Sequence, residues 1–217
     1  MTVGATTGVG NPAGAGATLG SDGWLANDTA MTIAPEISFS VDAKYRASAR
    51  GSQAGLAFGW AQGGTSVYNA TTAQTITVGV TNVTQGNYRL SVAGGISSHG
   101  TSGFGTATPV ALTVDNWYRL SGTILFDGGT NTFTFNDVGF YDLGEFGTDA
   151  PIQLLSGTGE TLTNAAWTGA TQGQVSVLTN RDRGFQVLDN VYAAAIPEPS
   201  AALLGGLGML ALLRRRR

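Results

Sequence analysis

The sequence predicts an all-β protein: an antiparallel two-sheet jelly-roll sandwich followed by a short C-terminal hydrophobic helix. Apolar and polar residues alternate with a period of two along residues 30–195, and no window of a dozen residues shows a sustained apolar stripe of helical period. The 217 residues include 28 threonines and 33 glycines. Strands with one apolar face and one hydroxyl face suit two sheets that pack together and keep solvated outer sides.

Nine strands are predicted along this body. They cover residues 37–46, 56–60, 75–83, 88–93, 110–114, 117–126, 132–136, 175–178 and 185–192. The strongest hairpin signal is TILF-DGGTN-TFTF, in which Asp127, Gly128 and Gly129 are expected to supply the positive φ angles of a tight turn.

Four segments of the body carry a resemblance to a known fold. They are FSVDAKYRAS, GLAFGW, the hairpin WYRLSGTILFDGG and the closing strand FQVLDNVYA. Together they resemble the concanavalin-A-like, laminin-G-like jelly rolls over residues 39–192. A galactose-binding-like jelly roll is the alternative, because it often closes with a similar LDNV strand.

Composition excludes several classes of site. Without cysteine the chain has no disulfide framework, thiolate zinc site or cysteine nucleophile, and with a single histidine it has no site that needs two imidazoles. Residues 1–196 hold seven basic and thirteen acidic residues, and residues 197–217 hold four arginines and one glutamate. Because the acidic body lacks a basic stripe, nucleic acid is not an expected partner.

The last 22 residues form a separate unit with three parts. Pro197, Glu198 and Pro199 end any strand that enters from the body, because proline has no amide hydrogen and keeps its neighbour extended. Residues 201–213 are apolar or glycine, and Arg214, Arg215, Arg216 and Arg217 follow. Thirteen helical residues cover about 20 Å of a hydrocarbon core of about 30 Å. An inserted segment would keep its arginines cytoplasmic and the body outside; the alternative is a C-terminal helix packed on the domain.

This order resembles the PEP-CTERM sorting signal of Gram-negative bacteria. The resemblance implies recognition by a membrane transpeptidase called exosortase, cleavage near Pro197, Glu198 and Pro199, and transient contact with the inner membrane through residues 201–213. It also implies that the body is released or attached at the cell surface or in exopolysaccharide.

The predicted domains are therefore a low-complexity or truncated N-terminal segment (1–29), the sandwich (30–195) and the sorting and membrane segment (196–217). An exported protein should begin with a signal peptide, yet residues 1–23 contain neither a positive n-region nor an apolar h-region. We therefore expect the signal peptide to be missing from this sequence.

The residues favour a binding protein over an enzyme. Glucanases of the concanavalin-A-like family use a Glu-x-Asp-x-x-Glu run, and no such run occurs in this sequence. The glutamates of the body, Glu36, Glu145 and Glu160, lie in segments typical of solvated loops and strand ends. His99 lies in the polar segment SSHGTSG without a nearby nucleophile.

Aromatic residues beside polar loops are the candidate ligand contacts. Sugar-binding jelly rolls stack exposed rings on pyranose C–H groups, and Trp60, Tyr68 and Trp167 adjoin glycine-rich or polar segments. The alternative role for these rings is to fill the core or cap its ends.

The sequence requires no cofactor, although the concanavalin-A-like family that it resembles includes calcium-binding members. The oxygen-rich candidates for calcium are Asp115, Asp127 and Asp189, and turn roles are the alternative because no spaced Asp-x-Asp-x-Asp run occurs.

The expected protein is thus a secreted or cell-surface, non-enzymatic jelly-roll module that binds carbohydrate or exopolysaccharide. The alternatives are an extracellular polysaccharide-degrading enzyme whose carboxylates meet only in the fold, and a structural coat protein without a ligand.

Overall fold

The computed structural model arranges fourteen strands of the described residues in two antiparallel sheets. It describes residues 24–26, 31–47, 54–62, 75–84, 86–94, 102–104, 108–179 and 184–196. The two sheets face each other across one apolar core. This arrangement confirms the predicted all-β, two-sheet jelly-roll sandwich.

The eight-stranded sheet has the order β1-β13-β4-β5-β6-β7, with β2 beside β13 and β8 beside β6. Threonine, serine, glycine and alanine alternate with apolar residues on its strands. The strand bounds are Trp24–Ala26 (β1), Met31–Thr32 (β2), Ala54–Gln62 (β4), Thr75–Thr84 (β5), Asn87–Gly94 (β6), Ser102–Gly103 (β7), Val110–Ala111 (β8) and Gln172–Thr179 (β13).

The six-stranded sheet has the order β11-β10-β9-β3-β14, with β12 continuing the line of β11 along β10. A 3-10 helix, Ala165–Trp167, follows β12 and is capped by the Asn164 side chain, which accepts from the Ala166 amide. The strand bounds are Glu36–Ala47 (β3), Trp117–Asp127 (β9), Thr132–Asp142 (β10), Ile152–Gly157 (β11), Glu160–Thr163 (β12) and Gly184–Ala195 (β14).

Aromatic rings fill the interior in three groups. Between the sheets, Phe39 and Phe58 stack with centroids 4.4 Å apart. One further group is Trp60, Phe126, Phe133 and Trp167, and the other is Tyr45, Tyr88, Tyr118, Phe140 and Phe185. Because each buried ring removes a large apolar area from water, these groups contribute much of the stability of a fold without disulfides.

Most predicted strands are present with longer bounds, and two local predictions are wrong. The 127–132 hairpin has a four-residue loop in which Asn131, with φ 55°, takes the left-handed conformation expected of Gly128 and Gly129. The strand predicted over 110–114 ends at Ala111, because the chain turns at Asp115, whose φ is 68°.

The described part of the sandwich extends slightly beyond the predicted domain. Trp24–Ala26 pairs with β13, ahead of the predicted boundary at residue 30. At the other end the Ile196 amide donates to the Glu36 carbonyl at 2.9 Å. The predicted C-terminal helix lies outside the described residues, and none of the helices in the described ranges has the length and apolarity that a membrane crossing requires.

The hydroxyl of Tyr118 is hydrogen-bonded inside the core, and its removal measures what these bonds contribute to stability. Its buried hydroxyl accepts from the Thr113 amide at 2.7 Å and donates to the Thr113 carbonyl at 3.1 Å. Tyr118→Phe should lower the free energy of unfolding by about 1 kcal/mol at pH 8, the usual net contribution of such hydrogen bonds. Urea unfolding measures this loss, with Tyr192→Phe as the surface control.

The same variant should respond differently to alkali. Burial raises the pKa of Tyr118 to about 12, whereas an unfolded tyrosine ionises near its ordinary value of 10. The unfolded chain therefore loses this proton first, and the contribution of Tyr118 to stability falls as pH rises from 10 to 12. The stability gap between the wild type and Tyr118→Phe should narrow over that window; a gap independent of pH would contradict this account.

Candidate functional site

A β-bulge in β10 shapes the outer face of the six-stranded sheet. Asn136 pairs with Thr123 and Gly139 pairs with Ser121, so that Asp137 and Val138 together oppose Gly122. Val138 turns inward and is fully buried, whereas Asp137 is exposed with φ 50°. The extra residue thus directs a carboxylate outward from a central strand, as bulges commonly do next to binding sites.

A second irregularity lies beside the bulge, where β11 passes into β12. The Oδ1 atom of Asn136 accepts from the Thr158 hydroxyl at 3.3 Å and from the Gly159 amide at 3.2 Å. The Gly159 amide also donates to the Phe135 carbonyl at 2.9 Å, and Gly159 has φ 76°. These bonds hold the two interrupted strands against each other and fix the backbone around Asp137.

The two irregularities border an open groove of about 440 Å³. Its chemistry is mixed, with a carboxylate, a carboxamide, the hydroxyls of a serine and a threonine, and an aromatic ring. The lining residues are Asp137, Val138, Tyr141, Gln153, Ser156, Gly157 and Thr158.

Tyr141 is the aromatic group of this groove, and a glycine determines how its ring lies. The hydroxyl end of the ring occupies the space that a Cβ atom on Gly139 would need. Because Gly139 has no side chain, the half-buried ring leans along the sheet instead of standing away from it. Nε2 of Gln153, on the neighbouring strand, donates to the Tyr141 hydroxyl at 3.4 Å.

A polar row crosses the same face from one sheet edge to the other. Asp189, Asp42, Arg119, Tyr141 and Gln153 stand opposite one another on β14, β3, β9, β10 and β11. Asp42 is only 3% exposed and accepts from Arg119 Nε at 2.7 Å and Nη2 at 2.8 Å, and from Asn190 Nδ2 at 2.9 Å. The hydrogen bonds to Asp42 raise the pKa of Arg119.

The tryptophans predicted to bind sugar occupy the interior instead. Trp60 and Trp167 are both fully buried, with ring centroids 5.1 Å apart, and each also contacts Phe126 and Phe133. Neither ring presents a face to solvent, so an exposed stacking role does not fit them. Tyr68, the third candidate, lies outside the described residues. The ring that does line a groove, Tyr141, was missed because the strand predicted there ended at residue 136.

The three aspartates proposed for calcium lie apart from one another: Asp115 is in a turn, Asp127 ends β9, and Asp189 lies at a bulge within β14. Asp115 pairs with Arg46 at 2.9 Å. Asp127 accepts from the Gly129 amide at 2.9 Å and the Thr130 hydroxyl at 2.8 Å, hydrogen bonds that lower its pKa. Asp189 accepts from the Asn190 amide at 2.8 Å. Within the described ranges, no three histidine, cysteine, aspartate or glutamate side chains gather into a group able to hold a metal ion.

The glutamates that a polysaccharide-degrading enzyme would need to bring together are far apart. Glu36 and Glu160 begin strands separated by three strand spacings, about 14 Å, whereas glycosidase carboxylates lie about 5–9.5 Å apart. Glu145 is exposed in the loop after β10, where its carbonyl accepts from Lys44 Nζ at 3.4 Å. His99 lies outside the described residues.

Comparison with known families identifies the end of the chain. Residues 195–217 match the family described as the PEP-CTERM protein-sorting motif. The chain carries a PEP-CTERM sorting signal. This signal implies an exported, cell-surface-associated protein that an exosortase processes. The PEP-CTERM motif begins where the sandwich ends, since Ile196 makes the last described hydrogen bond of the sheet.

Solved structures similar to this chain include an alginate lyase and several lectins. The PL-14 alginate lyase from Aplysia kurodai is 10% identical, with 79% of this chain and 74% of that chain covered and a TM-score of 0.46. Lectin I-B4 from Griffonia simplicifolia is 12% identical, with coverage of 81% and 82% and a TM-score of 0.45. A legume lectin-like domain from Entamoeba histolytica is 8% identical, with coverage of 83% and 82% and a TM-score of 0.41. No curated protein matches the chain.

The sorting signal makes a prediction about processing. In a host with an exosortase, and with a functional secretion signal added, the protein should lose its arginine terminus. Replacing Pro197, Glu198 and Pro199 together with alanine should leave the protein in the inner membrane, because the extended proline-rich backbone is lost. Membrane fractionation and mass spectrometry of the C-terminus measure this. Normal maturation of the triple variant would contradict the prediction, and Ser200→Ala is the control.

Proposed function

We propose that this exported protein binds polysaccharide at the cell surface through the groove on its six-stranded sheet. The observation that carries the proposal is the Tyr141 ring, seated over Gly139 in a groove whose rim holds a carboxylate, a carboxamide and hydroxyls. An aromatic surface flanked by a few fixed polar groups is the usual composition of a small carbohydrate site.

The groups of the groove suit a pyranose ring. The exposed surface of Tyr141 offers a flat apolar contact for sugar C–H groups. Asp137 accepts hydrogen bonds, Gln153 and Ser156 both donate and accept them, and the Thr158 hydroxyl, which donates to Asn136, can accept them. Because Asn136 holds the Thr158 hydroxyl and the Gly159 amide, this part of the groove loses little freedom when a ligand binds.

The groove also favours binding over cleavage. Asp137 is the single carboxylate among its described lining residues, whereas retaining and inverting glycosidases both use a pair. This observation supports a non-enzymatic role. Export through the sorting signal would bring such a module to the exopolysaccharide outside the cell.

Matched tyrosine variants test the proposal. The full chain, kept in a detergent without a sugar headgroup, is screened against a polysaccharide panel for binding and for release of reducing sugar. Tyr141→Ala should weaken binding about tenfold or more, since loss of one stacking ring costs about 1–3 kcal/mol. Tyr192→Ala is the control, because Tyr192 is 40% exposed on the same face but stands on the far edge strand, β14.

The outcomes separate the candidate functions. Binding without sugar release, lost in Tyr141→Ala and kept in Tyr192→Ala, is the expected result. Sugar release that disappears in Asp137→Asn would favour an enzyme. Absence of both activities across the panel would contradict the proposal and favour a structural coat protein.

A further inference from the structure

We infer that the groove selects uncharged polysaccharide and excludes chains that carry carboxylates. This inference rests on the proposed function and names the ligand class of the same site. It comes from the charges around the groove: one outward-facing carboxylate lies within it, and the basic side chains of the same sheet are engaged elsewhere.

Asp137 is the fixed negative charge of the site. The bulge turns its side chain outward, and its backbone has φ 50°, a conformation that aspartate and asparagine tolerate better than most residues. Among the described residues, no lysine or arginine forms a salt bridge with Asp137, whereas Asp42 and Asp115 each have one. A ligand in the groove therefore meets a carboxylate that no arginine or lysine of the described residues neutralises.

The described basic residues of the six-stranded sheet have partners outside the groove. Arg119 directs Nε and Nη2 at Asp42, and Arg46 pairs with Asp115. Lys44 donates to the Glu145 carbonyl at the far end of the sheet. Arg89 belongs to β6 in the other sheet. None of these four residues lines the groove.

Electrostatic repulsion then distinguishes ligands that share the same backbone. A carboxylate on the ligand about 5 Å from Asp137 experiences a repulsion of the size found for charge pairs near a protein surface, which salt weakens. We expect this to lower affinity about five- to tenfold for each carboxylated residue that must lie in the groove. Hydroxyls at the same positions meet acceptors and donors that suit them.

The test compares neutral and carboxymethylated forms of the same polymer. The full chain is immobilised and exposed to hydroxyethyl cellulose and carboxymethyl cellulose, to dextran and carboxymethyl dextran, and to glycol chitin and carboxymethyl chitin. The variants are Asp137→Asn, which keeps the size and backbone preference of the residue, and Asp189→Asn, an exposed aspartate about 14 Å from Tyr141 along the same row. Unchanged thermal melting confirms that both variants fold.

The expected result has three parts. The wild type binds at least one neutral polymer at least fivefold more tightly than its carboxymethyl form. This ratio of the two affinities decreases between 20 mM and 500 mM salt. Asp137→Asn shrinks the ratio at low salt, chiefly by improving binding of the carboxymethyl form. Asp189→Asn leaves the ratio unchanged.

Different outcomes would overturn the exclusion of anionic chains and the proposed binding groove. If carboxymethyl forms bind as tightly as neutral ones, or if Asp137→Asn has no more effect than Asp189→Asn, the exclusion of anionic chains is overturned while polysaccharide binding stands. If no polymer binds, or if Tyr141→Ala binds the neutral polymers as well as the wild type does, the groove itself is not the binding site.

Discussion

Burial of aromatic rings between the two sheets determines which face of every strand points outward. Side chains alternate along a strand, so a residue that fills the core places its neighbours on the surface. Phe39 and Phe58 stack across the sheet interface, and Tyr118 stacks on Phe140 with centroids 5.3 Å apart. With no disulfide to hold the sheets together, this packing maintains the sandwich and orients the polar row on its outer face.

The same constraint explains the bulge that builds the groove. Phe133 and Phe135 face the core at odd positions of β10, whereas Val138 and Phe140 face it at even positions. A regular strand would bury Asp137 and expose Val138, at a large cost for an unpaired buried charge. One extra residue in the strand resolves the conflict. Gly122 lies opposite, where an added Cβ atom would come within 3.0 Å of Val138 Cγ2, so the absence of a side chain there makes room for the bulge.

The sequence predicted the strands better than the surface they create. Alternation located β3, β5, β6 and β9 to within about one residue at each end, because each keeps one inward face throughout. The predicted strand ended at Asn136, where the alternation of β10 changes phase. The apolar residues of β10 change there from odd to even positions, and this change in the sequence indicates a bulge. β11 and β12 were missed because they line the sheet edge, with only Leu155 among their side chains fully in the core.

The candidate site was harder to predict because exposure depends on contacts between distant segments. Trp60 and Trp167 adjoin polar residues in the sequence, yet they meet in the core when the 3-10 helix after β12 packs against β4. Tyr141 is an ordinary strand tyrosine by composition. It becomes a groove-lining ring only because Gly139 lies two residues before it and Gln153 lies opposite it.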